Sequence, residues 1–574
     1  MDARLHTPDL RRASLAAILL LSLLGTLGAC SDDATDEDSL SLHLFTTNGV
    51  QIAPVAGLEQ IRVTAVDHAR NEVLAQESFA YGDGKGTLGG VTYAEDLQVV
   101  IEGLDALGNA VLRGASSPFA ATRDGKIEPP PIFMSPVESF SPATALTEFG
   151  GALQPQEVRF QVARPRAGHA VVTLEGGILL ITGGAEVTTG AGIAADGLPD
   201  GYKIASNGVL DTVELYDPVS GLFFERPPMR IPRAFHTTTV LADGRVLVVG
   251  GVAIIEKDGG DVVETLASAE IFDPRRPNEP WELVAGQSKG LTDSRAWHTA
   301  TLRRADGRVV VIGGRTIAEG ASSVLGTAEI FNPDTDRFEF NPGDEPIAME
   351  QPRAGHTAEL LLTGRGAGKS IIVIGGQNDQ GVLRSTEVLR VVGQDARSSF
   401  DLGPAMNVGR AGHTSITASP AGGRLIVVAG GVDSDGAPLD GVEVLDVESG
   451  EFDLMARLSK ARAWGEMVEL AQTGDLVVIG GLGATGDPVA APDRLAYNPV
   501  DSSYTSVPVE ARMLAARAML RAVRLDNGLV LVTGGVDDSG DSLDTAEFYN
   551  VDDGEPGLSW ELPSTDGDDD GFLQ

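Results

Sequence analysis

The sequence predicts an all-β protein: a seven-bladed β-propeller preceded by a small antiparallel β-sandwich. Three observations predict it. A short apolar run ends in Gly-Gly seven times, the second glycines being Gly184, Gly251, Gly314, Gly376, Gly431, Gly481 and Gly535. A turn precedes each run, and Asp243-Gly244, Asp306-Gly307 and Asn527-Gly528 are strong hairpin signals because such turns require positive φ. After each run come a third strand, marked by Glu-x-aromatic or Glu-x-Leu, and a fourth strand carrying an aromatic. Four short strands per repeat are the content of one propeller blade.

The elements follow in chain order. Arg4, Arg11 and Arg12 precede an apolar run from Ala13 to Ala29, too short for an ordinary membrane span. The run ends in Leu27-Gly28-Ala29-Cys30, which resembles the bacterial lipobox. That resemblance implies that residues 1–29 are a lipoprotein signal and that Cys30 carries the lipid. Several acyl chains on one residue give stable anchoring, since each buried CH₂ contributes about 0.8 kcal/mol. Ser31 after the cysteine favours the outer membrane of a bacterial envelope. Residues 30–40 are acidic and polar and read as a flexible tether. Residues 41–136 hold alternating strands such as Gln60–Val66 and Leu97–Leu104, with turn clusters between them, which predicts an immunoglobulin-like sandwich.

Residues 137–563 carry the repeats. Each opens with Arg-Ala, and five units read Arg-Ala-x-His, ending at His169, His236, His298, His356 and His413. Arg462-Ala463-Trp464 and Arg517-Ala518-Met519 keep the opening without the histidine. The third strand has its glutamate at Glu214, Glu270, Glu329, Glu387, Glu443 and Glu547, and the sixth repeat reads as lacking one. Aromatics assigned to the fourth strand are Phe224, Trp281, Phe338, Phe400, Phe452, Tyr504 and Trp560. A segment from Phe140 to Phe149 adds a strand near the ring closure, and residues 564–574 form an acidic tail. The succession of Arg-Ala-x-His, Gly-Gly and Glu-x-aromatic resembles the Kelch repeat family over roughly residues 164–563. The resemblance implies a toroid of four-stranded blades around a central channel.

Chemistry is sparse. The chain has 43 Lys+Arg against 82 Asp+Glu, a net charge of −39, which repels phosphate backbones and excludes nucleic acid as a partner. The Gly-Gly pairs lack the Lys-Ser/Thr of a phosphate loop. Histidines at equivalent repeat positions lie a blade apart, too far to share one zinc ion, and read as structural within each blade. The repeated Arg and Glu read as buried pairs, with Arg353 meeting Glu387 of its own blade or the matching residue next door. Asp433-Ser434-Asp435-Gly436 and Asp537–Asp541 lack the full spacing of a calcium loop and read as acidic turns. Some Kelch propellers are copper oxidases whose cofactor needs a cysteine joined to a tyrosine. Cys30 is the only cysteine and is the lipid site, so no cofactor and no metal are expected.

The reading is therefore a binding or scaffold lipoprotein, not an enzyme, that takes a protein or a glycan at the cell envelope. The alternative is a carbohydrate-active hydrolase or lyase with its site at the channel mouth. Loops between second and third strands are unequal, and the longest, Ala185 to Val213, exceeds the usual bound for idle connections. It contains Tyr202, Lys203 and Ile204, the predicted binding residues, and the predicted contact segments are 186–209 in this loop and 252–266 in the next repeat.

Overall fold

The computed structural model describes residues 24–26, 39–41, 44–46, 58–70, 72–80, 96–120, 132–149, 152–157 and 164–551, except 258, 285–289, 340–345, 365 and 393–396. Cys30 and Trp560 lie outside the described residues. The architecture is all-β, built of many small antiparallel sheets and compatible with a β-propeller. Among the described residues no helix is long and apolar enough to cross a membrane.

The chain divides into two units, Met1–Val137 with Ser141–Glu157, and Glu138–Phe140 with Val158–Gln574. In the first unit six of the described strands form one sheet, where the sequence predicts an antiparallel sandwich. Leu97–Leu104 lies at its centre, between Ala110–Ala115 and Gln60–Asp67, and all its residues are buried. The sheet is mixed because Leu44–Thr46 runs parallel to Ile132–Pro136. Glu102 is tolerated inside because Arg62 donates to it at 2.7 Å. Two short hairpins, Leu24–Thr26 with Ser39–Ser41 and Thr144–Phe149 with Ala152–Glu157, complete the described strands of this unit. The first of these draws on residues the sequence assigns to the signal and the tether.

In the second unit the repeats become sheets, numbered one to seven here. Among the described residues each has a path of four strands, in chain order and antiparallel in sheets one to six. Sheet four is typical: Thr357–Leu360, Ile371–Ile374, Thr386–Val392 and Arg397–Leu402. The second strand is the apolar run before Gly-Gly, and it is fully buried in every sheet because neighbours cover both its faces. First strands of successive sheets lie side by side in order, and that of sheet seven returns to that of sheet one. The fourth strand of sheet seven is Ser139–Pro142, placed beside Ala546–Asn550. The sequence assigns that place to the Trp560 segment. The N-terminal side wins it by specific contacts: Phe140 stacks on Tyr549 at 4.5 Å, and Glu138 accepts from Tyr549 Oη at 2.5 Å and Arg494 Nη1 at 3.0 Å.

A buried frame holds each sheet to the next. Arg353 Nη2 donates to Glu387 Oε1 of its own sheet at 2.7 Å, and its Nη1 donates to the Gly375 carbonyl at 2.8 Å. The same pair recurs as Arg166–Glu214, Arg233–Glu270, Arg295–Glu329, Arg410–Glu443 and Arg517–Glu547. The sixth repeat does have an acid: Asp493 meets Arg462. Asp493 faces Val478, as Glu214 faces Ile181, but two extra residues separate it from its aromatic, Tyr497. That spacing hides it in the sequence. The carboxylates of sheets two to seven also accept backbone N–H groups, as Glu387 does from Glu350 and Gln351, which compensates their burial. One further correction concerns sheet one, where Phe223 is 3% exposed and packs on Tyr216, while Phe224 faces outward at 37%.

Both glycines of each Gly-Gly pair have positive φ, for example 62° at Gly250 and 98° at Gly251. A Cβ on Gly250 would lie 2.4 Å from the Arg295 carbonyl oxygen of the next sheet, so only glycine fits. Gly251 N–H donates to that same carbonyl at 2.9 Å. The bond repeats around the ring and closes from Gly535 to Arg166 at 2.8 Å.

Candidate functional site

The residue between Ala and the histidine position builds the neck of the channel. Gly168, Phe235, Trp297, Gly355, Gly412, Trp464 and Met519 all have φ between 52° and 62°. Their backbones form a closed cycle. Phe235 N–H donates to Gly168, Trp297 to Phe235, Gly355 to Trp297, Gly412 to Gly355, Trp464 to Gly412, Met519 to Trp464 and Gly168 to Met519, at 2.8 to 3.3 Å. Bulky residues in this left-handed region cost of order 1–3 kcal/mol each. Glycine would serve the backbone equally, so the side chains have another use. They fill the neck: Phe235 stacks on Trp297 at 5.1 Å, and Trp464 lies over Gly412, whose Cβ would meet the indole at 2.8 Å.

The histidines behind the neck join neighbouring sheets, not strands within one. Nε2 of His169, His236, His298, His356 and His413 shares a hydrogen bond with Thr533, Thr182, Thr237, Thr299 and Thr357 of the preceding sheet, at 2.8 to 3.1 Å. Burial holds His356 and His413 down at about 3, and it lowers the other three well below the ordinary value. All five are therefore neutral near pH 7. In repeat seven Leu520 occupies the histidine position and packs against Gly480.

Below the neck, first strands line a cavity of ≈ 440 Å³. Its wall carries hydroxyls such as Thr301 and Thr414, the neutral histidines His298, His356 and His413, and three acidic or basic side chains, Glu359, Glu466 and Arg521. Glu359 accepts from Ser415 Oγ at 2.6 Å and Thr417 Oγ1 at 3.0 Å, and burial pushes its carboxyl upward. Glu466 pairs with Arg521. Among the described residues no cluster of three or more His, Cys, Asp or Glu could hold a metal ion. The two acidic loops are turns whose first aspartate already accepts backbone N–H groups, from Asp435 and Ala437 and from Ser539 and Asp541.

Above the neck, loops between second and third strands surround a second cavity of ≈ 360 Å³. The long connections are ordered hairpins: Ala185–Thr188 with Lys203–Val209, Val252–Lys257 with Gly260–Thr265, and Arg315–Ala318 with Ala321–Val324. The sheet-one insertion reaches across the mouth, and a Cβ on Gly197 would meet the Trp297 ring at 2.8 Å. Gly197, Leu198 and Pro199 border both cavities and so partition the channel.

The sequence-predicted residues fall in three different environments. Tyr202 is 9% exposed and lines the upper cavity, where burial raises its pKa. Lys203 is half-buried, its Nζ donating to the Gly190 carbonyl at 3.4 Å. Ile204 is fully buried with Val187, Val252 and Val263, so it supports the hairpin and cannot touch a partner. The neck residues are not among those the sequence singles out. The signal was the variable position inside an otherwise fixed Arg-Ala-x-His.

No family model matches the chain. An F-box/kelch-repeat protein of Arabidopsis thaliana is 29% identical over 165 residues, 28% of this chain and 31% of that protein. Beta-scruin of Limulus polyphemus is 29% identical over 142 residues, 24% of this chain and 14% of that protein. The chain thus spans less than a third of the length of either relative. Among solved structures, YjhT is similar at TM-score 0.42 and 14% identity, covering 61% of this chain and 99% of that one. A fungal alcohol oxidase in complex with copper is similar at TM-score 0.46 and 15% identity, covering 68% and 74%. The curated relatives support a Kelch-type fold.

Proposed function

We propose that the seven sheets are the blades of one closed Kelch-type propeller, and that this propeller is a lipid-anchored binding module taking a protein partner on its hairpin face. The observation that carries the reading is the asymmetry of that face. The neck is closed by a cycle of backbone bonds, and above it three unequal hairpins stand over a cavity bordered by Tyr202, Trp297 and Arg315. Rigid scaffolds place recognition on such elements. The kelch repeat in the name of the Arabidopsis relative agrees with the fold, and its F-box is no part of this proposal.

A photo-crosslinker placed at Lys203 or Lys257 of the full chain in cells tests the reading. Adducts with one protein at both positions, and none from Arg308 on the opposite face, are the expected result. Equal labelling from Arg308 defeats it. Anchoring rests on Leu27-Gly28-Ala29-Cys30 alone. Cys30→Ala is expected to move the protein from the envelope membrane fraction to the unanchored one, and unchanged partitioning without an acyl mass on the mature N-terminus defeats that part.

A further inference from the structure

In a repeat chain the frame residues obey the repeat, and positions that break it report something the frame does not need. The three positions after the histidine site are Thr, Ser, Ala or an apolar residue in most repeats. Glu359, Glu466 and Arg521 break that rule. At the neck, glycine serves three repeats, while Phe235, Trp297, Trp464 and Met519 take its place elsewhere at the cost of strain. These exceptions come from different sheets, yet all of them line the cavity of ≈ 440 Å³ below the neck. Pockets of about 300–1,000 Å³ hold small ligands.

The wall selects a ligand class. An anion would face Glu359 on a chain of net charge −39. A fixed cation would meet no free carboxylate pair, because Glu466 is already taken by Arg521 and Glu359 already accepts two hydroxyls. An apolar molecule would strand the hydroxyls of Thr301 and Thr414 without hydrogen-bond partners. What remains is a neutral polyol with one apolar C–H face. Such a molecule stacks that face on an indole and gives its hydroxyl protons to a carboxylate. Trp297 is enclosed between Phe235 and Gly197, whereas Trp464 covers Gly412 with one part of its ring and borders the cavity with the rest. Among the described residues Glu359 has hydroxyl partners and no ion pair, so its acceptor capacity is not consumed by a cation.

We propose that the cavity below the neck is a binding site for a neutral pyranose sugar, seated against Trp464 and hydrogen-bonded to Glu359. This site stands on the channel wall and does not depend on protein recognition by the hairpin face.

Calorimetric titration of the full chain with glucose, galactose and N-acetylglucosamine, with tetramethylammonium and citrate as charged controls, tests it. At least one sugar is expected to bind saturably and to perturb tryptophan fluorescence. Trp464→Gly and Glu359→Gln should each weaken that binding by about tenfold or more. Glycine suits the backbone at position 464 and relieves its left-handed strain, which offsets part of the lost packing, so Trp464→Gly should remain folded and its melting curve separates a lost site from a lost fold. Absence of binding by all three sugars overturns the proposal. So does tighter binding of either charged control, or full affinity in Trp464→Gly.

Discussion

Sheets one to three and sheets five to seven share one frame and differ in what rises above it. Below the mouth the two groups are equivalent: buried Arg–carboxylate pairs, Gly-Gly pairs of positive φ and the same bonds to the next sheet. Above it, the first three carry hairpins, while sheet five turns back within Val432–Pro438 and sheets six and seven do likewise at Leu482–Pro488 and Val536–Ser542. The difference teaches that the frame tolerates large insertions at one point without changing register. Stability belongs to the frame and variation to the face. Substitutions should separate the two, with large losses in the frame and almost none at the hairpin tips.

The largest effect is expected at Arg353. Its guanidinium is fully buried, and Arg353→Ala leaves Glu387 without its cation. Breaking a buried pair costs about 3–5 kcal/mol, so chemical denaturation should show a clear loss, and a silent variant would contradict the frame. Next comes Phe140→Ala, which empties the stack on Tyr549 and loosens the closing strand. About 3 kcal/mol is expected for such a truncation. If the variant is neutral while truncation of Trp560 destabilises, ring closure lies with the C-terminal segment instead.

The frame was legible in the sequence because its rules are local and repeated. Arg353 and Glu387 recur at fixed offsets from Gly-Gly, and buried charges must pair, so their contact could be derived. Asp493 was not legible, because two additional residues moved its aromatic to Tyr497. The histidines were assigned to single blades, since nothing in the spacing says that Nε2 reaches a threonine next door. Closure by Ser139–Pro142 pairs residues some four hundred positions apart, and only folding brings Glu138 to Tyr549 and Arg494. The neck was missed because its common property is a backbone angle that glycine and tryptophan share there. The sheet-two hairpin has a sequence signal, Lys257-Asp258-Gly259-Gly260 between alternating strands, that length alone presents as a loop.

A smaller, pH-dependent effect is expected from the histidines. His356 has a folded pKa of about 3 against 6.5 when unfolded, so between these values the unfolded chain binds more protons. The stability contributed by the neutral ring is complete above pH 6.5 and is lost as pH falls toward 3. One such group contributes a slope of about 1.4 kcal/mol per pH unit. Leu520 shows that leucine fits the equivalent place. His356→Leu should therefore make the acid limb of the stability profile shallower by that slope, whatever its stability at pH 8. An unchanged acid limb would mean that the imidazole is already protonated in the fold.

The smallest effect is expected at the tip of the sheet-two hairpin, and it tests the comparison most directly. Ile255 pairs with Val262, and beyond them the described residues Glu256, Lys257, Gly259, Gly260 and Asp261 are exposed. The tip's ion pair, Lys257 with Glu264, is itself partly exposed, and surface pairs of this kind contribute about 0–1 kcal/mol. The core below the tip is Val252 and Val263, which pack with Ile204 and Ala234. Replacing Glu256–Asp261 by Asn-Gly should keep that core and supply a turn suited to joining two strands. Stability should then change by no more than about 0.5 kcal/mol. Removing Ala191–Ile204 from sheet one is a different operation, because it takes Ile204 and Tyr202 out of the same core and should destabilise clearly. If the short replacement in sheet two destabilises as much as that deletion, the hairpins belong to the frame after all. If it leaves stability intact and abolishes crosslinking from Lys203 to the partner, frame and recognition face are separable.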